Sequence, residues 1–288
     1  MNSTPSYDIR DGVLFISCRY CRQLVPANEL GRHLRAHRSS SESAAPVHSP
    51  RHSASHARRH EKRRERIRQV CLERGIERVV HFTPIENLAR ILREGLLPRF
   101  TLDRLSRRGR PFIAVDQDRF DGHKRTVSVS ISFPNYQMFY RVRQQTSDDV
   151  WVVLSMKPAL LWELDCAFCE DNAASADVRR RPLPTLKRVE ALQALFSEVV
   201  LIHDGRILRA EISIPDLYPT NPQAEVLVCE PVKPRYIFEV AFFDRNRQWQ
   251  WIEKNGNHWP GVNLTINHGL FRPRPGNWDN LARALKKE

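Results

Sequence analysis

The stretch His81–Leu97 (HFTPIENLARILREGLL) constrains this chain more than any other, because seventeen residues specify a strand, a turn and a helix in order. Val79, Val80 and Phe82 supply the apolar positions of a strand. Thr83-Pro84 is expected to stop it, since proline offers no N–H to a ladder and presets φ. Leu88, Ile91 and Leu92 then recur at helical spacing and form one apolar face. Gly95 ends the helix, as glycine tolerates the left-handed conformation found there. His81 and Thr83 fit neither core. They alternate along the strand, so they share one side of it and form a candidate ligand-contacting pair.

Further strands are expected at Thr126–Ser132, Val150–Met156, Val199–Ile202, Glu225–Cys229 and Tyr236–Phe243, and helices at Asn87–Glu94, Pro134–Val142, Leu186–Phe196 and Trp278–Lys287. The two types mix without a regular βα period. That pattern indicates an α+β fold with antiparallel strands, not a doubly wound parallel sheet. The chain's 11 glycines are scattered, and none builds a phosphate loop or a dinucleotide-binding turn.

Lysine and arginine number 46 against 33 acidic residues, a net charge of +13. Polyanions, nucleic acid foremost, are the natural partners of such a surface. No apolar run is long enough to span a bilayer. The first residues, MNSTPSYDIRDG, lack the hydrophobic region of a signal peptide. Six cysteines in such a chain point to reduced thiols or metal ligation, and a cytoplasmic location is expected.

Cys18, Cys21, His33 and His37 read Cys-x2-Cys-x11-His-x3-His. Two thiolates and two imidazoles suit tetrahedral Zn²⁺. Leu30, His33, Leu34 and His37 would share one helix face, so residues 13–38 are expected to form a ββα unit resembling a C2H2 zinc finger, with a Cys-to-His gap one residue short of the usual minimum. Arg19, Arg22, Arg32, Arg35 and Arg38 favour contact with nucleic acid. One finger covers only about three base pairs, so local concentration on nucleic acid, or binding to a protein, suits it better than site selection. Residues 39–57, rich in Ser, His, Ala and Pro, are expected to be a flexible linker. A basic helix from Ala57 to Arg74 opens the large domain, 58–288.

Four segments of that domain carry a resemblance. The first is His81–Leu97 itself. In the second, Ser128–Tyr140 (SVSISFPNYQMFY), a Ser-alternating strand runs through a Phe-Pro-Asn turn into an aromatic helix start. The third, Trp162–Ser175, contains Asn172-Ala173-Ala174 and a Cys166-x2-Cys169 pair, which is read as structural. The fourth, Asn221–Val228, opens an apolar strand with a glutamate, Glu225, in the form Ala-Glu-Val-Leu. A carboxylate there must sit at a rim or be paired. Jointly, over about Val79 to Val240, these segments resemble the DarT-type ADP-ribosyltransferases, which attach ADP-ribose from NAD⁺ to bases in single-stranded DNA.

That resemblance implies a split-sheet ADP-ribosyltransferase core with surrounding helices. It makes Glu225 the catalytic carboxylate and Arg119, or failing it Arg125, the arginine that holds the NAD⁺ phosphates and assists the reaction. His81, Thr83, Asn87, Met138 and Tyr140 become the residues lining the NAD⁺ site. It also implies a toxin or antiphage role and a macrodomain antitoxin that reverses the mark. The residue types suit the chemistry. Cleavage of the nicotinamide–ribose bond builds positive charge on the ribose, which a carboxylate stabilises, and single-stranded DNA presents a base without unpairing. A nucleic-acid-binding regulator with an inactive transferase-like domain, and transfer to RNA or protein, are the competing readings.

Overall fold

The computed structural model describes residues 7–10, 13–17, 23–26, 29, 50–113, 122–202 and 205–274. The chain divides into two compact units, Met1–Arg58 and Arg59–Glu288. In the first, β1 (Tyr7–Arg10), β2 (Val13–Ser17) and β3 (Leu24–Pro26) form an antiparallel sheet in that order. Ser17 pairs with Leu24, so a hairpin occupies the place expected for the finger's two strands, with β1 added ahead of it. All four expected zinc ligands, Cys18, Cys21, His33 and His37, lie outside the described residues.

Helix α1 (Pro50–Glu73) starts seven residues earlier than the expected Ala57 and so takes in part of the expected linker. Its only proline stands at the first helical position, where a missing N–H costs nothing. In the second unit Ile67, Val70 and Cys71 are its buried stripe, while Arg64, Arg66 and Arg68 stay exposed. Arg63 is spent on structure. Its Nε donates to the Lys187 carbonyl at 2.6 Å and its Nη2 to the Cys166 carbonyl at 3.1 Å. Burial pushes the Cys71 thiol up to about 12.

A seven-stranded sheet organises the rest. Its strands are β4 (Val79–Pro84), β5 (Val127–Ile131), β6 (Trp151–Met156), β7 (Cys166–Cys169), β10 (Glu225–Val228), β11 (Ile237–Phe242) and β12 (Asn263–Ile266). A separate hairpin pairs β8 (Val199–Ile202) with β9 (Gly205–Leu208). The order is β12-β11-β6-β4-β5-β10-β7, antiparallel except between β11 and β12. β4 runs beside β6 for six residues but pairs with β5 only at Val79↔Ile131 and Val80↔Ser130. Beyond Val80 the two part. The sheet is therefore two half-sheets joined at one corner, the split core that the resemblance implied.

Alternation along the strands builds a core on each side. Val79, Val129, Ile131, Leu154, Val226 and Val240 pack with Leu88, Ile91 and Leu92 of helix α2 (Leu88–Glu94). Val80, Val153 and Ala241 face Phe139, Trp151 and Phe271. Phe82 stacks on Phe139 with ring centroids 4.5 Å apart. Each such side chain contributes about 1.5–3 kcal/mol on burial.

Two expectations are corrected. β4 does not stop before Thr83-Pro84 but includes both, with Pro84 as its last residue, where a missing N–H breaks no further rung. The single helix expected at Leu186–Phe196 is two, Leu183–Leu186 and Val189–Ala194. The Lys187 carbonyl at the break accepts from Arg63 instead of from a helical N–H. Among elements the sequence did not reveal are β7, β12, α3 (Arg99–Ser106) and a helix at Arg245–Asn255. The expected helix at Trp278–Lys287 lies outside the described residues.

Candidate active site

The split between β4 and β5 opens a cavity of about 190 Å³. Its walls are the edges along which β4 and β5 no longer pair with each other, so backbone polar groups as well as side chains face it. His81 and Thr83 line one wall and Thr126–Ser130 the other; Met138, Asn172 and Glu225 close it. His81 spans the gap where the ladder has stopped. Its Nδ1 donates to the Ser128 carbonyl at 2.9 Å. A carbonyl can only accept, so Nδ1 carries a proton.

Thr83 is buried and its Oγ1 accepts from Asn87 Nδ2 at 3.2 Å. The same Nδ2 donates to the Ile113 carbonyl at 2.8 Å, and Asn87 Oδ1 accepts from the Ile113 N–H at 3.1 Å. The Asn87 amide is therefore spent on the protein. It lines the cavity, but its work is to fasten the Ile113 strand of backbone beside Thr83.

Glu225 is the first residue of β10 and is 8% exposed, so it is paired and not a rim group. Its Oε1 accepts from Asn135 Nδ2 at 3.3 Å and from Asn172 Nδ2 at 3.4 Å. Its Oε2 accepts from the Ala173 N–H at 3.3 Å. Three amide donors thus converge on the carboxylate, which accepts from each. Asn135 does double duty. It caps helix α4 (Tyr136–Gln144), accepting from the Met138 N–H at 3.2 Å, while its other end holds Glu225. Asn172 likewise accepts from the Ala174 N–H at 2.8 Å.

Not every expected residue joins the cavity. Met138 does, but Tyr140 stands 47% exposed on α4 with its ring 5.7 Å from that of Tyr136. Two residues along a helix turn through about 200°, so Met138 and Tyr140 face apart. Arg119 lies outside the described residues. Its substitute, Arg125, sits over the Phe100 ring at 4.9 Å and is absent from the cavity wall. Cys166 and Cys169 are buried free thiols on β7, as the structural reading had them. Trp251 packs in the core, whereas Trp249 is 64% exposed.

Asn135 and Arg90 are among the wall residues that escaped the sequence reading. Asn135 left a trace, an Asn after Phe-Pro and before a helix, which is a capping signature. Arg90 left none. It projects from α2 into the wall together with Arg99 of α3. Burial lowers the Arg90 guanidinium below its ordinary value, with Glu94 opposing and Arg110 reinforcing the shift.

A family model described as "DarT: ssDNA thymidine ADP-ribosyltransferase, DarT" matches residues 80–267, which takes in β4, the split and Glu225. This chain belongs to the DarT family. The family is described as one of thymidine ADP-ribosyltransferases of single-stranded DNA. Solved structures related to this DarT-family chain are distant in sequence. Thermosipho africanus DarTG in complex with ADP-ribose is 16% identical over 68% of this chain and 51% of that one, with a TM-score of 0.48. This chain thus spans about half of that protein's length. Thermus sp. 2.9 DarT in complex with NAD⁺ is 17% identical over 68% of this chain and 98% of that one, with a TM-score of 0.43. Thermus sp. 2.9 DarT in complex with ADP-ribosylated single-stranded DNA is 16% identical over 69% and 97%, with a TM-score of 0.44. No curated protein matches this DarT-family chain.

Proposed function

We propose that the cavity in the sheet split is where this chain cleaves NAD⁺ and passes ADP-ribose to a thymine of single-stranded DNA, with Glu225 as the catalytic carboxylate. The observation that carries the reading is a buried carboxylate held by three amides in the wall of a cavity that is also lined by His81 and Thr83. Such preorganised charge acts without reorganisation when positive charge develops on the ribose. The nicotinamide–ribose bond breaks, and nicotinamide leaves with the electron pair. A ring nitrogen of the base bonds to the ribose carbon, and its proton passes to Glu225. His81 Nε2 accepts from, and the Thr83 hydroxyl donates to, the bound dinucleotide. Asn87 acts at one remove by fixing Thr83. Met138 supplies apolar contact. Arg119 keeps its proposed part in assisting the reaction.

The basic face of α1 and the net charge of +13 support attraction of a DNA strand. Cys18, Cys21, His33 and His37 fit a zinc site by donor type and spacing, and the β2–β3 hairpin agrees with it. In this reading the resulting finger raises local concentration on nucleic acid. A toxin or antiphage role, a reversing macrodomain antitoxin and a cytoplasmic location complete the proposal. No helix among the described residues is long and apolar enough to cross a membrane. The test is purified protein with labelled NAD⁺ and single-stranded oligonucleotides of each base, with duplex DNA, RNA and protein alongside. Label on thymine alone is the expected result; label on RNA or protein only, or none at all, would overturn the assignment.

A further inference from the structure

One guanidinium in the cavity wall, that of Arg90, has a covered nitrogen, Nη1, without an acceptor among the described residues. The acids around it are engaged elsewhere. Glu94 pairs with Arg110, and Asp103 pairs with Arg99 at 2.7 Å. Arg90 and Arg99 lie beside one aromatic ring, their guanidinium carbons 5.8 and 5.0 Å from the Phe112 centroid. A ring fixes a guanidinium in place but satisfies none of its N–H groups. Among the described residues, Asp103 and Glu94 are thus taken up by Arg99 and Arg110, while Glu225 supplies the acid among the residues that line the cavity.

A buried donor without an acceptor, on a group that never loses its charge, costs free energy unless an anion completes it. The cavity has an acidic residue, Glu225, and a basic wall, Arg90 with Arg99. A dinucleotide whose reacting sugar turns cationic and whose linker is a diphosphate has the matching pattern of charge. We infer that Arg90, steadied by Phe112, is the guanidinium that binds the diphosphate of NAD⁺. This deepens the proposed function and rests on it. It also divides the labour assigned to arginine, placing the phosphate contact on α2 and leaving Arg119 the part nearer the reaction. A planar fork donating two bonds to phosphate oxygens is the interaction lysine reproduces worst.

The test uses the full chain and its Arg90→Ala and Arg90→Lys variants. Binding of NAD⁺, ADP and adenosine is measured by calorimetry, and transfer to a thymidine oligonucleotide is followed as NAD⁺ is varied. Loss of a charge-assisted pair should weaken NAD⁺ and ADP by about 10- to 100-fold in Arg90→Ala. Arg90→Lys should recover part of that, adenosine affinity should not change, and the effect on transfer should fall in KM more than in kcat. Equal weakening of adenosine and ADP would mark Arg90 as a packing residue and overturn the inference, as would unchanged ADP and NAD⁺ affinity. Wild-type protein that binds ADP through Arg90 but not NAD⁺ would instead sink the proposed function and leave the diphosphate site standing.

Discussion

Glu225→Gln separates charge from shape at the candidate catalytic residue. The carboxylate accepts two side-chain amides on Oε1 and one backbone N–H on Oε2. A glutamine has one oxygen and one NH₂. With its oxygen in the Oε1 place it keeps Asn135 and Asn172 but turns a donor toward the Ala173 N–H. Flipped, it keeps Ala173 and opposes both asparagines. The first arrangement is the better, and it leaves one donor facing another. One unsatisfied buried donor costs about 1–3 kcal/mol, or roughly 2–12 °C in melting temperature for a domain of this size. Transfer suffers more, because the charge beside the developing oxocarbenium ion is gone. Removing one preorganised electrostatic group costs on the order of 10²- to 10³-fold in turnover. The assay is single-turnover transfer of labelled ADP-ribose to a thymidine oligonucleotide, at a temperature where both proteins are folded by circular dichroism. A glutamine variant that loses stability as expected but transfers at the wild-type rate would refute the reasoning, since the carboxylate would then be a structural acceptor only.

Asn135→Ala should remove the α4 cap and one Glu225 donor together. The cap alone is worth about 0.5–2 kcal/mol, so a fall in melting temperature with a partial loss of transfer is expected, and unchanged transfer would unlink the cap from Glu225. Gly95 has φ of +87°, and a Cβ there would meet the Val232 carbonyl oxygen at 2.1 Å. Gly95→Ala should therefore lower the melting temperature by several degrees, whereas an unchanged melt would mean the backbone beside the cavity is not held at Leu96↔Val232. The Ser147 hydroxyl and Arg247 hold the Asp149 carboxyl below its ordinary 3.8. A folded-state value below the unfolded one gives stability that is present above 3.8 and lost as pH falls through the folded value. Asp149→Asn should flatten that acid limb in melts taken from pH 5 down to pH 2.

Much of the local structure was legible in the residue pattern because it rests on neighbours. Period-two alternation placed His81 and Thr83 on one side of a strand, and the structure has both in one cavity wall. Helical spacing found the buried face of α2, and glycine chemistry found its end. A carboxylate opening an apolar strand had to sit at a rim or be paired, and Glu225 is paired. The α+β class with mainly antiparallel strands followed from the mixture of elements. Tyr140 shows a limit that is still local. Motif matching put it beside Met138, although helical rotation by itself turns the two apart.

The site depended on contacts that no short window contains. Glu225 is held by Asn135 and Asn172, 90 and 53 residues away in the chain. The cavity exists because β4 and β5 pair for two residues and then separate, and that depends on which strands each keeps on its other side. Arg90 and Arg99 look like ordinary surface arginines on two short helices until packing sets both beside Phe112 and pairs Asp103 with Arg99 and Glu94 with Arg110. Sequence determined which residues could form strands, turns and helices, because those preferences act over a few bonds. Tertiary structure alone decided which polar groups were left unpaired around a common space, because that is a sum over partners brought together from the whole domain.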